Sequence, residues 1–258
     1  MILILGGTSD SIEICRYMNE EGLKNEYILS VATDYGRDIA EKTAENVING
    51  RMDSEKMTEF IKEKKIKAII DATHPYATDV SKNAMECVKN TGIEYIRYER
   101  ESLLNEISYD KCIVVENIEE ACDRVINDNY RRVFIGTGSK NLKKYVDALN
   151  DREVFARVLP ESGVISECES YGLNADNIIA MKGPFEKNMN VETFKRYNVD
   201  VLITKESGKA GGFMEKVDAC IEMNIPVIVI KRQRIEYLSQ TNKIEFAVET
   251  AKKVNKEV

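Results

Sequence analysis

Short apolar runs alternate along this chain with longer segments in which apolar residues recur every three or four positions. Residues 2–5 read as a buried strand, and 10–21 follow as a helix with Ile12, Cys15 and Met18 on one face. The same spacing predicts strands over 27–33, 47–48, 67–72 and 94–98. It predicts helices over about 54–64 and 78–90, the second stopped by Gly92. The pattern lapses across the polar stretch 99–110. It resumes with strands at 112–115, 133–136, 154–157, 178–181, 201–204 and 227–230, helices filling the gaps and a last helix over about 243–253.

Apolar, β-branched strands alternating with helices imply right-handed crossovers and parallel sheets covered on both faces. Two such runs, parted near residue 100, predict an α/β protein of two Rossmann-like lobes, residues 1–103 and 104–258, with a ligand cleft between them. In open parallel sheets ligands bind beyond the carboxyl ends of the strands, so the residues after each strand are the ones to read.

Composition narrows the partners. A net charge of −7 argues against general affinity for nucleic acid or an anionic membrane, although a small polyanion needs only a few cations. No apolar run approaches the roughly 20 residues that span a bilayer. The opening apolar run is too short for a signal peptide and leads directly into glycines, so a cytoplasmic protein is expected. Its assembly is expected to be a monomer or small homo-oligomer. The six cysteines lack any CxxC spacing and read as small buried residues, and the single histidine, His74, rules out a histidine-rich metal site; no metal is expected.

After the first strand comes Gly6-Gly7-Thr8-Ser9-Asp10. Two glycines let a backbone approach a phosphate, Thr8 and Ser9 add hydroxyls, and the following helix offers its amides. A tight turn with Ser9 or Asp10 as helix cap is the plainer alternative. Thr33 and Asp34 end the second strand, where an acidic residue can bind a ribose diol or cap the next helix. Arg51 follows the third, able to meet adenine or phosphate or simply to face solvent.

The fourth strand leads into Asp71-Ala72-Thr73-His74-Pro75-Tyr76-Ala77. Pro75 is placed to begin a helix and to present Thr73, His74 and Tyr76 at the ligand edge, with Asp71 anchoring backbone amides. Gly136-Thr137-Gly138-Ser139 is a second anion-binding candidate opening a helix. Gly183-Pro184-Phe185 follows a later strand. Lys205-Glu206-Ser207-Gly208 follows the next, with Lys205 suited to carboxylates or phosphates, and Gly211-Gly212 begin the helix carrying Glu215 and Lys216.

ILILGGTSD, IIDATHPYA, Arg97-Tyr98-Glu99-Arg100, GPF and TKESGKAGGFMEK, in that order over essentially the whole chain, resemble the precorrin-6A reductases. DATHPYA is the most specific of these. The resemblance implies an enzyme of cobalamin biosynthesis that passes a hydride from NADPH, or from NADH, to a conjugated double bond of the corrin precursor. It implies that His74 and Tyr76 belong to the active site. Gly6, Gly7, Thr8, Ser9, Thr33, Asp34, Arg51, Thr73, Gly136, Thr137 and Gly138 are the expected cofactor residues. Pro75, Ala77, Arg97, Arg100, Lys205, Glu206, Ser207, Gly208 and Lys216 are expected at the macrocycle, the cations matching its carboxylates. The chain departs from the family in one place: Lys231-Arg232-Gln233-Arg234 stands where members often carry Arg-Pro.

Hydride transfer needs no nucleophile and no metal, and the chain offers neither a Ser-His-Asp order nor a metal cluster. Two other readings compete. A short-chain dehydrogenase or epimerase would carry Tyr-x-x-x-Lys, but Tyr76 is followed four residues later by Val80 and Tyr17 by Glu21. A non-catalytic dinucleotide sensor would need no second ligand pocket, which the polar strand ends of the second half speak against.

Overall fold

The predicted strands and helices form, with small shifts at their ends, in a computed structural model that describes residues 1–208 and 211–256. Lys209 and Ala210, within the TKESGKAGG stretch, lie outside the described residues. Contacts divide the chain into two units, Met1–Glu101 with Gln233–Val258, and Ser102–Arg232.

The first unit is built on β1 (Ile2–Leu5), β2 (Tyr27–Val31), β3 (Val47–Asn49), β4 (Ala68–Asp71), β5 (Glu94–Tyr98) and β12 (Gln240–Thr241), all parallel, in the order β12-β5-β4-β1-β2-β3. Alternate side chains of each strand feed opposite faces. Ile2 and Ile4 pack against α1 (Ser9–Glu20) and α10 (Ile244–Lys256), while Leu3 and Leu5 pack against α3 (Ser54–Lys64) and α4 (Thr78–Thr91). Strand numbering reverses between β1 and β4, and in open parallel sheets ligands bind beyond the carboxyl ends of the strands at such a reversal. A seven-residue helix, α2 (Asp34–Ala40), joins β2 to β3.

The second unit repeats the plan with β6 (Cys112–Val115), β7 (Arg132–Ile135), β8 (Glu153–Val158), β9 (Ile178–Ala180), β10 (Val201–Lys205) and β11 (Val227–Ile230) in the order β6-β11-β10-β7-β8-β9. One face is closed by α8 (Lys187–Arg196) and α9 (Phe213–Met223) through Phe194, Phe213 and Val217. The helices α5 (Ile118–Asn127), α6 (Leu142–Ala148) and α7 (Ser162–Ser170) complete it. Its order reverses between β7 and β10.

The expected boundary needs correction at the C-terminus. Residues 104–258 do not stay together: the segment from Gln233 returns to the first unit, adds β12 beside β5, and buries Ala247, Val248 and Ala251 of α10 in that unit's core. The apolar stripe of α10 is legible locally, but a stripe carries no label for the sheet that it will cover. Of the cysteines, all free, five are buried and Cys112 is half-buried. No helix among the described residues is long and apolar enough to cross a membrane.

Candidate functional site

At the reversal point of the first unit, the turns after β1 and β4 lie side by side. Thr8 joins them: its hydroxyl donates to the carbonyl of Ala72 at 2.7 Å and accepts from Ser11 N–H at 3.1 Å. Thr8, and not Ser9 or Asp10, therefore caps α1, in a capping box completed by Ser11. Its hydroxyl is committed to the fold and is not a phosphate donor. Gly6 is required by packing, since a Cβ there would stand 2.6 Å from Leu29 Cδ1. Gly7 is required by its backbone, with φ at +92° and open space where a side chain would be. An exposed glycine beside the first turn of a twelve-residue helix fits a nucleotide phosphate in shape and in dipole.

Asp10 lies next to that turn. Burial pushes its carboxyl up, opposed by Arg100, whose guanidinium sits 2.7 Å from Asp10 and 2.6 Å from Glu13. Arg100 is thus ion-paired on α1. Thr33 caps α2 through Gly36 N–H, so Asp34 is not the cap; the Asp34 carboxylate accepts from Asn49 Nδ2 at 2.5 Å. Arg51 is exposed just past β3.

The stretch after β4 does not begin a helix at Pro75. Ala77 N–H donates to the His74 carbonyl at 2.7 Å, closing a turn with Pro75 in its second position, and α4 starts only at Thr78. Proline's fixed φ suits that position of a turn as well as it suits a first helical residue. The rings of His74 and Tyr76 lie 5.5 Å apart, both half-buried, and Tyr76 N–H donates to His74 Nδ1 at 3.4 Å.

Two further expectations fail here. Arg97 is 1% exposed and bonded to Asp71 and Glu99, so it does not face a ligand. Its direction on β5 points it inward to a charge that only the neighbouring strand reveals. Burial works against its charge, but Asp71, Tyr237 and Glu99 together hold the guanidinium above its ordinary value. Thr73 is buried too, its hydroxyl donating to Asp71 at 2.7 Å and accepting from Arg97 at 3.0 Å, which removes it from the cofactor set.

At the reversal point of the second unit there is a cavity of about 520 Å³. The loop after β7 (Gly136, Thr137, Gly138, Ser139, Lys140) and the loop after β10 (Lys205, Ser207, Gly211) form two walls, and Lys216 of α9 reaches in from below. Lys216 is buried and donates to the Gly211 carbonyl at 2.9 Å. Burial, together with Arg157 and Lys205, brings its pKa down to about 8. Lys205 is lowered as well, by burial and by Lys140. The glycine loop does not open a helix as expected, because α6 begins later, at Leu142.

Arg157 was not among the expected site residues. It projects from β8 with its guanidinium 3.8 Å from the centre of the Phe185 ring and 5.3 Å from that of Phe134, and it donates to Asn190 at 2.8 Å. Burial lowers it to about 10. Phe185 reaches it from the Gly183-Pro184-Phe185 turn, whose Gly183-Pro184 bond is cis. An arginine inside an apolar strand, with an aromatic turn downstream, is the signal that could have found this pair. Glu206 must be withdrawn from the ligand set: at 1% exposure it accepts from Leu103 N–H at 2.7 Å and pairs with Arg232 at 3.1 Å.

Four cations around one concavity attract anions, and Lys216 makes that attraction depend on pH. Its charge is present below about pH 8 and lost above it. Affinity for a polycarboxylate, measured by calorimetry, should therefore fall about tenfold between about pH 7 and 9. A Lys216→Met protein should bind more weakly at about pH 7, approach the parent by about pH 9, and lose that pH dependence.

A family model described as precorrin-6x reductase CbiJ/CobK matches residues 1–252. The cobalt-precorrin-6A reductase of Methanocaldococcus jannaschii is 40% identical over 237 residues, covering 92% of each chain. That of Priestia megaterium is 38% identical over 240 residues, again with 92% of each covered. That of Salmonella typhimurium is 36% identical, covering 90% of this chain and 87% of its own. The solved structure of CobK precorrin-6A reductase shares the fold, with a TM-score of 0.76 at 19% identity over 96% of this chain and 94% of that one.

Proposed function

The chain belongs to the precorrin-6x reductase family, and from that premise we propose that it reduces cobalt-precorrin-6A, or its metal-free counterpart, in cobalamin biosynthesis. The observation that carries the reading is the Thr8–Ala72 bond, which sets a phosphate-shaped glycine turn against the His74–Tyr76 turn at the reversal point of one sheet. When bound, NADPH, or NADH in its place, supplies a hydride to a carbon–carbon double bond of the macrocycle.

The residues divide the remaining work. The amides of Gly7 and Ser9 at the start of α1 would hold the diphosphate, while the Gly6 amide donates to the Ser30 carbonyl at 2.8 Å and keeps the turn on the sheet. Thr33, Asp34 and Arg51 lie past the two strands that follow β1 in the sheet, on the adenosine side. Asn49 occupies the Asp34 carboxylate while Arg51 stays exposed, a combination that favours the additional phosphate of NADPH. His74 and Tyr76 stand in the turn that Thr8 ties to the glycine turn, and one of them would deliver a proton to the carbon next to the one that receives the hydride. Pro75 and Ala77 shape the turn around them.

In the second unit, Lys140, Arg157, Lys205, Ser207 and Lys216 would take the carboxylates on the rim of the macrocycle, with Gly208 shaping their loop. Gly136, Thr137 and Gly138 line that same cavity, so we assign them to the macrocycle and not to the cofactor. Arg100 acts through its pairing with Asp10, steadying the first turn of α1.

Turnover is the test. Cobalt-precorrin-6A and precorrin-6A, made enzymatically, are offered with NADPH and with NADH, and the loss of nicotinamide absorbance is followed. Oxidation that depends on a macrocycle, faster with NADPH, is the expected result. A protein that binds the cofactor but oxidises none of it with either macrocycle would overturn the reading.

A further inference from the structure

One carboxylate holds the His74–Tyr76 turn at both of its ends. Asp71, fully buried at the end of β4, accepts from Thr73 N–H at 3.1 Å and from the Thr73 hydroxyl at 2.7 Å, immediately before His74. It also accepts from the Ser81 hydroxyl at 2.6 Å, in α4 just beyond the turn. From β5 come the Tyr95 hydroxyl at 2.8 Å and Arg97 Nη1 at 2.8 Å. A carboxylate offers about four lone-pair sites, and five donors leave none for a substrate. Asp71 therefore does no chemistry of its own.

The clamp is itself clamped. Arg97 Nε donates to Glu99 at 3.1 Å, and its guanidinium lies 5.3 Å from the centre of the Tyr237 ring. The backbone N–H of Arg97 donates to the carbonyl of Ser239 at 2.9 Å. Tyr237 and Ser239 belong to the segment that returns from the second unit to form β12. A continuous chain of contacts thus runs from the returning segment through Arg97 and Asp71 to the residues on either side of His74.

We infer that Asp71, backed by Arg97 and Tyr237, is the positioning element that presets the His74–Tyr76 turn for the reaction. Its kinetic consequence rests on the proposed reduction, whereas its structural consequence does not. A turn fixed in advance spares the catalytic groups an orientation search, and a displacement of about 1 Å can cost about a hundredfold in rate.

The chain has one histidine, so a single imidazole signal in a proton–nitrogen NMR spectrum reports the turn without any substrate. Three variants probe the clamp: Asp71→Asn, Ser81→Ala, which leaves the charge pair intact, and Tyr237→Leu, which removes the cap on Arg97 together with the Tyr237–Ser81 hydrogen bond. In folded protein each should shift or broaden the His74 signal. Each should also lower kcat about 10- to 100-fold with KM little changed, and Tyr237→Phe should restore both readouts. If Asp71→Asn does not fold, Ser81→Ala and Tyr237→Leu decide alone. Folded variants with parental kcat overturn the inference, whether or not the His74 signal moves. If the parent protein reduces neither macrocycle while the signal still moves in the variants, the clamp stands as the holder of the turn and the proposed reaction falls.

Discussion

Replacing Glu206 with alanine should lower the stability of the second unit by about 3–5 kcal/mol, the range for removing one partner of a buried ion pair. Glu206 stands just past the end of β10 with 1% of its surface exposed. One oxygen accepts from Leu103 N–H at 2.7 Å and lies 3.1 Å from Arg232; the other accepts from the Ser102 hydroxyl at 3.2 Å. Ser102 and Leu103 are where the chain begins this unit and Arg232 is where it leaves. A single carboxylate thus fastens both ends of a stretch of chain to the middle of its sheet. Alanine would leave the buried Leu103 amide without its acceptor and take from the mostly buried Arg232 guanidinium the carboxylate it pairs with. Thermal unfolding followed by circular dichroism should show a midpoint about 10 °C lower, and Glu206→Gln should recover part of the loss by keeping the bond from Leu103. An unchanged midpoint would mean that the carboxylate is not a structural anchor and would return Glu206 to the ligand set.

His74→Ala should reduce turnover about a hundredfold or more, the usual scale for losing a placed acid or base. The loss should appear in kcat, because in the proposed reading the cofactor is held by the glycine turn and not by the imidazole. Tyr76→Phe separates the two candidate donors. If Tyr76 delivers the proton, the phenylalanine variant falls as far as the histidine variant; if His74 delivers it, Tyr76→Phe keeps most of the activity. Full turnover in both variants would assign the proton to solvent and leave the turn a purely structural role. Stopped-flow traces of nicotinamide absorbance with saturating macrocycle read all three cases.

Much of the candidate site was legible because glycines, prolines and chemistry-bearing residues fall just after apolar runs, where a parallel sheet places its ligands. Gly7, His74, Tyr76 and Lys205 were singled out in this way, and Lys216 through the Gly211-Gly212 pair that opens its helix. The errors share one cause. Arg97, Thr73 and Glu206 are polar residues at strand ends, so in sequence they look like ligand contacts. In the folded chain each meets a buried partner brought in by another element: Asp71 of β4 for Arg97, Arg97 of β5 for Thr73, and for Glu206 the backbone and guanidinium at residues 103 and 232. Whether a polar group at a sheet edge binds a ligand or its own fold depends on what the neighbouring strand holds.

By itself the sequence determined the element order and the parallel α/β class, because hydrophobic period and β-branched content act locally. It also placed the glycine turn and the DATHPYA turn after their strands. Tertiary structure alone decided three things. It chose the sheet that α10 covers and made a strand of Gln240–Thr241, two polar residues with no strand signal of their own, through pairing with β5. It gathered Arg157, Lys205 and Lys216 from β8, β10 and α9 around one cavity. And it turned Asp71 from an ordinary strand-end acid into the saturated clamp of the His74 turn. Each of these depends on residues far apart in sequence, whose meeting is set by strand order and crossover, and no local pattern encodes that order.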